Sequence, residues 1–199
     1  MTATGPAAGQ EYVIRAAAEA DLDAIAEYEI EIAKVSFSDE AITDPALHRR
    51  RVSGSLSKPG EIMLVAVAAR EPGSATGTGT GTGTGSASET GTGSETGTGD
   101  ARDALAGWAW MSPRTNSLTG ARYGNFRSLA VADIPDRSRV GELLLAAVLA
   151  AAADAGLTQL TGKVHARNLG MRALYRKFGF EAAHLTMERR LPGGRQAPP

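Results

Sequence analysis

The chain contains no cysteine. Disulfides, cysteine–zinc centres and a cysteine nucleophile are therefore excluded, and a reducing compartment is the expected setting. An excess of either charge is also missing: 21 Lys and Arg against 22 Asp and Glu leave a formal net charge of −1. No bulk field draws such a chain to nucleic acid or to an anionic membrane. Long apolar runs are absent too. The longest, Leu143 to Ala153, is too short for a bilayer and is mostly alanine. Met1 to Gln10 has neither a basic start nor an apolar core, so it is not expected to be a signal peptide. These absences point to a cytoplasmic protein with no nucleic-acid partner, no membrane partner and no metal site.

One stretch has almost nothing to bury. From Pro72 to Asp103 the sequence is Gly-Thr repeats with scattered Ser and Glu, which predicts disorder. Closing such a loop costs little more than closing one half as long, because the penalty grows with the logarithm of length. The expected organisation is therefore a single domain over 11–191 with a disordered insertion at 72–103 in a β-hairpin. The ends, 1–10 and 192–199, are expected to be flexible tails.

Around the insertion the elements are legible. Tyr12–Arg15 reads as a short strand. Asp21 starts a helix in which Leu22, Ile25, Tyr28, Ile32 and Val35 recur at helical spacing. Glu29 falls inside that stripe, and a carboxylate on an inward face needs a partner or a chemical role. Thr43-Asp-Pro opens a second helix running to about Leu56, with proline near its first turn. Its basic run, His48 to Arg51, reads as a solvated face, the other reading being a seat for an acidic ligand. Ile62 to Ala68 is a buried strand, and Leu105 to Met111 is its hairpin partner, with Trp108 and Trp110 on one face. Tyr123 to Val131 is the next strand.

The chain is organised around Arg127 to Phe180. An apolar run ends at Val131, a polar turn follows, and a helix-like block covers Val140 to Ala155. Leu157 to His165 is a second β-type run, leading into Asn168-Leu-Gly-Met-Arg-Ala-Leu-Tyr-Arg-Lys-Phe-Gly-Phe180. Ala182 to Leu191 reads as closing strand. A parallel strand–helix–strand unit crosses over right-handed almost without exception. Its first strand then ends near the helix N-terminus, a natural seat for a phosphate. The fold class is α+β: a mixed, mostly antiparallel sheet with a β-α-β crossover and helices on both faces.

With Leu129-Ala-Val131, the turn to Gly141, and Asn168 followed by Tyr175 and Gly179-Phe180, the sequence resembles the GNAT superfamily of acyl-CoA-dependent N-acetyltransferases. The likeness runs from Glu11 to Leu191 without the insertion. It implies acetyl-CoA as co-substrate, with pantetheine bound by main-chain groups of Leu129, Ala130 and Val131. It also implies a pyrophosphate seat on the turn and first helical residues Arg137, Ser138, Arg139, Val140, Gly141 and Glu142. Of the slots that the family fills with Gln or Arg, Gly, and Gly or Ala, here Asp136, Arg139 and Gly141, only Gly141 matches. Asn168 is expected to bond the pantetheine arm, to cap the following helix, or both. Tyr175 matches the tyrosine that protonates the departing thiolate.

The base is not given by the likeness, because the strand ending at Val131 offers Arg127 and Ser128 where many members carry Glu. His165, at the end of the second parallel run, is of the residue type most used as a general base and is placed first; Glu29 follows. The implied reaction moves acetyl to a primary amine of a small molecule or a protein, with a homodimer left open. The alternative is a catalytically degenerate acyl-CoA sensor.

Overall fold

The computed structural model describes residues 10–69, 104–183 and 189. The insertion read at 72–103, the tail at 192–199, all of the tail at 1–10 but Gln10, and most of the closing strand read at 182–191 lie outside these residues. Two compact units divide the chain, Met1–Lys163 and Val164–Pro199.

The first unit is built on one five-stranded sheet in the order β1-β2-β3-β4-β5. Its strands are β1 (Tyr12–Ala16), β2 (Ile62–Ala68), β3 (Leu105–Thr115), β4 (Arg122–Val131) and β5 (Leu160–Gly162). Neighbouring pairs are antiparallel except β4 and β5, which are parallel. The ends of β2 and β3 that flank 70–103 pair Val67 with Leu105, as a hairpin requires. Helices α1 (Leu22–Phe37) and α2 (Pro45–Leu56) precede β2, and α3 (Arg137–Asp154) makes the crossover from β4 to β5.

Strand alternation assigns the helices to opposite faces. Leu22 and Ile25 of α1 and Val52 of α2 pack with Met63, Val65, Trp108 and Trp110 in one apolar cluster. Residues one position on point the other way. A Cβ on Gly107 would lie 3.0 Å from a methyl of Leu144, in α3. On that side α3 contributes Val140, Leu144, Leu145, Val148 and Ala152, all fully buried. The architecture is α+β, mostly antiparallel, with helices on both faces of the sheet.

The apolar face of α1 differs from the sequence reading. Ala26, Glu29, Ile30 and Ala33 are buried, whereas Val35 is 66% exposed. At about 100° per residue, Glu29 and Ala33 lie within about 20° of Leu22, while Val35 is about 220° round. The basic run on α2 is also not a uniformly solvated face. His48 is buried, and its Nε2 meets the Ile42 carbonyl at 2.8 Å.

In the second unit, α4 (Leu169–Lys177) follows a turn capped by Asn168, whose side chain accepts from the Met171 N–H at 3.0 Å. Asp44 caps α2 in the same manner, accepting from the Ala46 N–H at 2.9 Å with proline in the first turn.

Gly107 is where the sheet is tightest. A Cβ there would approach the Ala130 carbonyl oxygen to 2.7 Å and the Val131 Cα to 3.3 Å, both backbone. Gly107→Ala is expected to cost about 1–3 kcal/mol in denaturant unfolding. Gly170→Ala, with nothing within 4 Å of the new methyl, should stay within about 1 kcal/mol of the parent. Equal stabilities for the two variants would contradict this packing.

Candidate active site

β4 parts from β5 halfway along its length. The parallel pairing runs from Gly124 with Leu160 to Phe126 with Gly162, and there β5 ends. The antiparallel pairing with β3 slips at the same place: Met111 faces Phe126, but Trp110 faces Ser128. Arg127 is therefore the extra residue of a β-bulge, a device that bends and twists a strand.

The bulge decides which way the next main-chain groups point. The Ala132 N–H bonds to the Ala106 carbonyl at 2.9 Å, so that residue faces β3. Along an antiparallel strand the bonding direction alternates. Ser128 and Ala130 then face β3, while the N–H and C=O groups of Leu129 and Val131 face the opposite edge, which carries no β5 partner. A pair of half-buried peptide groups with no strand to bond among the described residues is suited to an extended ligand. Ala130 packs towards the tryptophan cluster instead.

The chain leaves β4 directly into the start of α3. The Arg137 N–H returns to the Ile134 carbonyl, and Val140 is bonded to Asp136 at 3.0 Å. Asp136, at the N-cap, makes no side-chain cap bond. Between them the N–H groups of Ser138 and Arg139 lie in the first turn, where a helix offers unsatisfied donors to an anion. The Ser138 side chain is exposed, as are those of Arg137 and Arg139; Val140 and Gly141 are buried, and Glu142 is half-buried. Arg137 reaches Asp133 at 3.4 Å and Arg139 reaches the Gln10 carbonyl at 3.3 Å. Both are exposed contacts of little energy, so both cations are cheap to redirect.

The second unit holds the other motif residues. Tyr175 is 8% exposed, and its ring stacks on Phe180 with centroids 4.6 Å apart. Gly179 takes φ +77°, the left-handed conformation that lets the Phe180 N–H return to the Tyr175 carbonyl. Burial pushes the Tyr175 phenol up to about 12. His165 is exposed and sits in the turn before α4, where its Nδ1 accepts from the Arg167 N–H at 3.2 Å.

Glu29 belongs to the first unit, on the tryptophan face of the sheet. It is 3% exposed, its Oε2 pairs with Arg51, and its Oε1 has no hydrogen-bond partner. The Arg51 guanidinium lies over the Trp110 ring at 5.7 Å, and the bulge residue Arg127 lies over the same ring at 4.4 Å. Beneath them Glu61 accepts from the Trp110 indole N–H and the Ser112 hydroxyl, each at 2.6 Å. Sequence periodicity singled out Glu29 but not Arg127 or Glu61, since neither a bulge nor a cross-strand acceptor leaves a periodic trace. Among the described residues no His, Asp or Glu cluster suits a metal, and no helix is long and apolar enough to cross a membrane.

Residues 88–180 match the family model described as acetyltransferase (GNAT) family. No curated protein matches by sequence. Solved structures do share the fold. One is a proposed acetyl transferase from Pyrococcus furiosus (16% identity, covering 91% of this chain and 100% of that one, TM-score 0.61). Another is a transcriptional regulator from Bacillus halodurans (12%, 91% and 100%, TM-score 0.59). A third is an aminoglycoside 6'-N-acetyltransferase from Acinetobacter baumannii (12%, 92% and 100%, TM-score 0.57). At these identities the likeness is one of fold.

The buried phenol gives a spectroscopic expectation. Tyr175 should ionise near pH 12, late in the tyrosinate absorbance titration, and Tyr175→Phe should remove that late component. A folded-state value raised above the ordinary 10 stabilises the fold below pH 10, and the contribution is lost as pH rises towards about 12. The variant should accordingly lose stability less steeply over that window. Loss of a component near pH 10 instead would contradict the burial.

Proposed function

We propose that this chain, whose residues 88–180 match the acetyltransferase (GNAT) family model, is a GNAT acyltransferase that moves an acetyl group from acetyl-CoA to a primary amine by direct attack. The observation that supports this most is the free edge of β4 at Leu129 and Val131, ending beside the uncapped start of α3. One extended donor with a diphosphate suits both: peptide groups for its arm, helix N–H groups for its anion.

Acetyl-CoA supplies an activated carbonyl and a thiolate leaving group. The main chain of Leu129 to Val131 holds the arm in register, and an N–H from this edge polarises the carbonyl oxygen. Arg137, Ser138, Arg139, Val140, Gly141 and Glu142 form the seat for the diphosphate, with Arg137 and Arg139 turned from their weak surface contacts towards it. Asn168 keeps its role as helix cap and offers its amide N–H to the arm. Tyr175 donates a proton to the thiolate. A phenol held at about 12 stays protonated throughout neutral pH, so the donor is always loaded.

The amine must lose a proton. His165 accepts an N–H at Nδ1, so its neutral ring carries the proton on Nε2 and has no free lone pair. Glu29 has an unbonded carboxylate oxygen. We therefore assign the base to Glu29 ahead of His165. The acceptor is an amine of a small molecule or a protein. A second reading, an acyl-CoA sensor without turnover, is favoured by Arg139 standing where the family carries glycine.

Acetyl-CoA is expected to raise the melting temperature, as any ligand of the native state does, and thiol release in the presence of an amine separates enzyme from sensor. Tyr175→Phe should lower turnover by roughly 10²-fold or more while keeping the acetyl-CoA-dependent thermal shift. No thermal shift at millimolar acetyl-CoA removes the reading. Unchanged turnover in the variant removes the assignment of the acid.

A further inference from the structure

The tryptophan face at the bulge carries two guanidiniums and two carboxylates that are incompletely paired. Two guanidiniums, Arg51 and Arg127, sit over one indole ring. They are near enough that Arg127 helps pull Arg51 below the ordinary guanidinium value, after burial as the larger cause. Of the two neighbouring carboxylates, Glu61 accepts from the Trp110 N–H and the Ser112 hydroxyl through one oxygen, Oε2, and is turned to those neutral donors rather than paired with an arginine. Glu29 neutralises Arg51 through one oxygen only and leaves the other buried and unbonded. Among the described residues no carboxylate pairs with Arg127. The face thus presents an exposed guanidinium with no ion pair among the described residues and a second with donors to spare, and beside them lies a buried carboxylate oxygen that lacks a donor.

Like charges held together, next to an orphaned acceptor, are costly unless something completes them. The complement is a single small group of opposite polarity at each end: an anion for the two arginines and an ammonium for Glu29. The arginine fork matches a carboxylate in geometry as well as charge. Arg127 is moreover two residues from Leu129, about 7 Å along the strand. An amine tethered to a carboxylate held there lies within reach of the free β4 edge.

We infer that the acceptor is an amino acid or a similarly short amine carrying a carboxylate, its carboxylate held by Arg51 and Arg127 and its ammonium directed to Glu29. This rests on the acetyl-transfer reading and names the substrate class of that same site. Polyamines and other polycations are disfavoured by the guanidinium pair. The basic run on α2 contributes through Arg51, while His48 is buried against Ile42 and Arg49 is held by Asp23 at 2.8 Å.

The test is a thiol-release assay with acetyl-CoA on a panel of amino acids and short ω-amino acids, their carboxamides, and spermidine. At least one acid is expected to outpace its carboxamide by roughly tenfold or more in kcat/KM. Arg127→Gln should cut that acid-to-amide ratio at least tenfold, mainly through KM. Arg127 is exposed and forms no ion pair among the described residues, so the variant should lose no more than its contact with the Trp110 ring, about 0.5–1 kcal/mol. Arg51 is less suitable, since its removal strands the buried Glu29 charge. A thermal shift with acetyl-CoA is measured in parallel. If that shift is present and no acid is acetylated, or amides or spermidine serve as well as acids, the acceptor assignment is overturned while the donor reading stands. If the shift is absent, the donor reading falls and takes this assignment with it.

Discussion

The site proposed for this molecule depends on where two neighbouring strands stop bonding. Strand β5 is three residues long, and its pairing ends at Phe126. One extra residue, Arg127, slips the register of β4 against β3 at the same point. Had β5 continued, the peptide groups of Leu129 and Val131 would have closed a ladder with it and been spent on stability. The bulge and the short strand together leave them for a ligand. Gly107 secures the other side: only a residue without Cβ lets β3 come so close to the Ala130 carbonyl.

The same bulge links the two faces of the site. It turns the Arg127 side chain onto Trp110, where α2 has already brought Arg51. Trp110 is itself fixed by Glu61, so the platform under both cations is rigid. Glu29 arrives from α1 because it falls in line with Leu22 around the helix, which is why it is buried and why it must pair. Edge and charged platform are thus neighbours through one irregularity in β4, and the acceptor chemistry inferred above follows from that proximity.

Much of this was legible in the sequence, for physical reasons. β2 is read from Ile62 to Ala68 because a run buried on both faces is uniformly apolar. The α4 start is read from Asn168, because a cap leaves a residue-specific mark. The run from Leu157 to His165 has strand character throughout, yet only Leu160–Gly162 forms a strand, since pairing depends on a partner that the run itself does not encode. The Val35 placement failed because spacings of three and four residues can drift round a helix. α3 begins at Arg137, earlier than its apolar block, since its first turn is exposed and polar. Arg127, Glu61 and Arg51 form a group only across three elements, and no single-segment pattern contains it.

The central claim is that the peptide groups of Leu129 and Val131 are unpaired until a donor arrives. Residue-resolved amide hydrogen exchange tests it, with Gly124, whose N–H is bonded to the Gln159 carbonyl at 2.8 Å, as internal reference. In the free protein the Leu129 and Val131 amides should exchange faster than that of Gly124, and saturating acetyl-CoA should slow at least one of them. Slow exchange at both without ligand, or no change at saturation, would contradict the account.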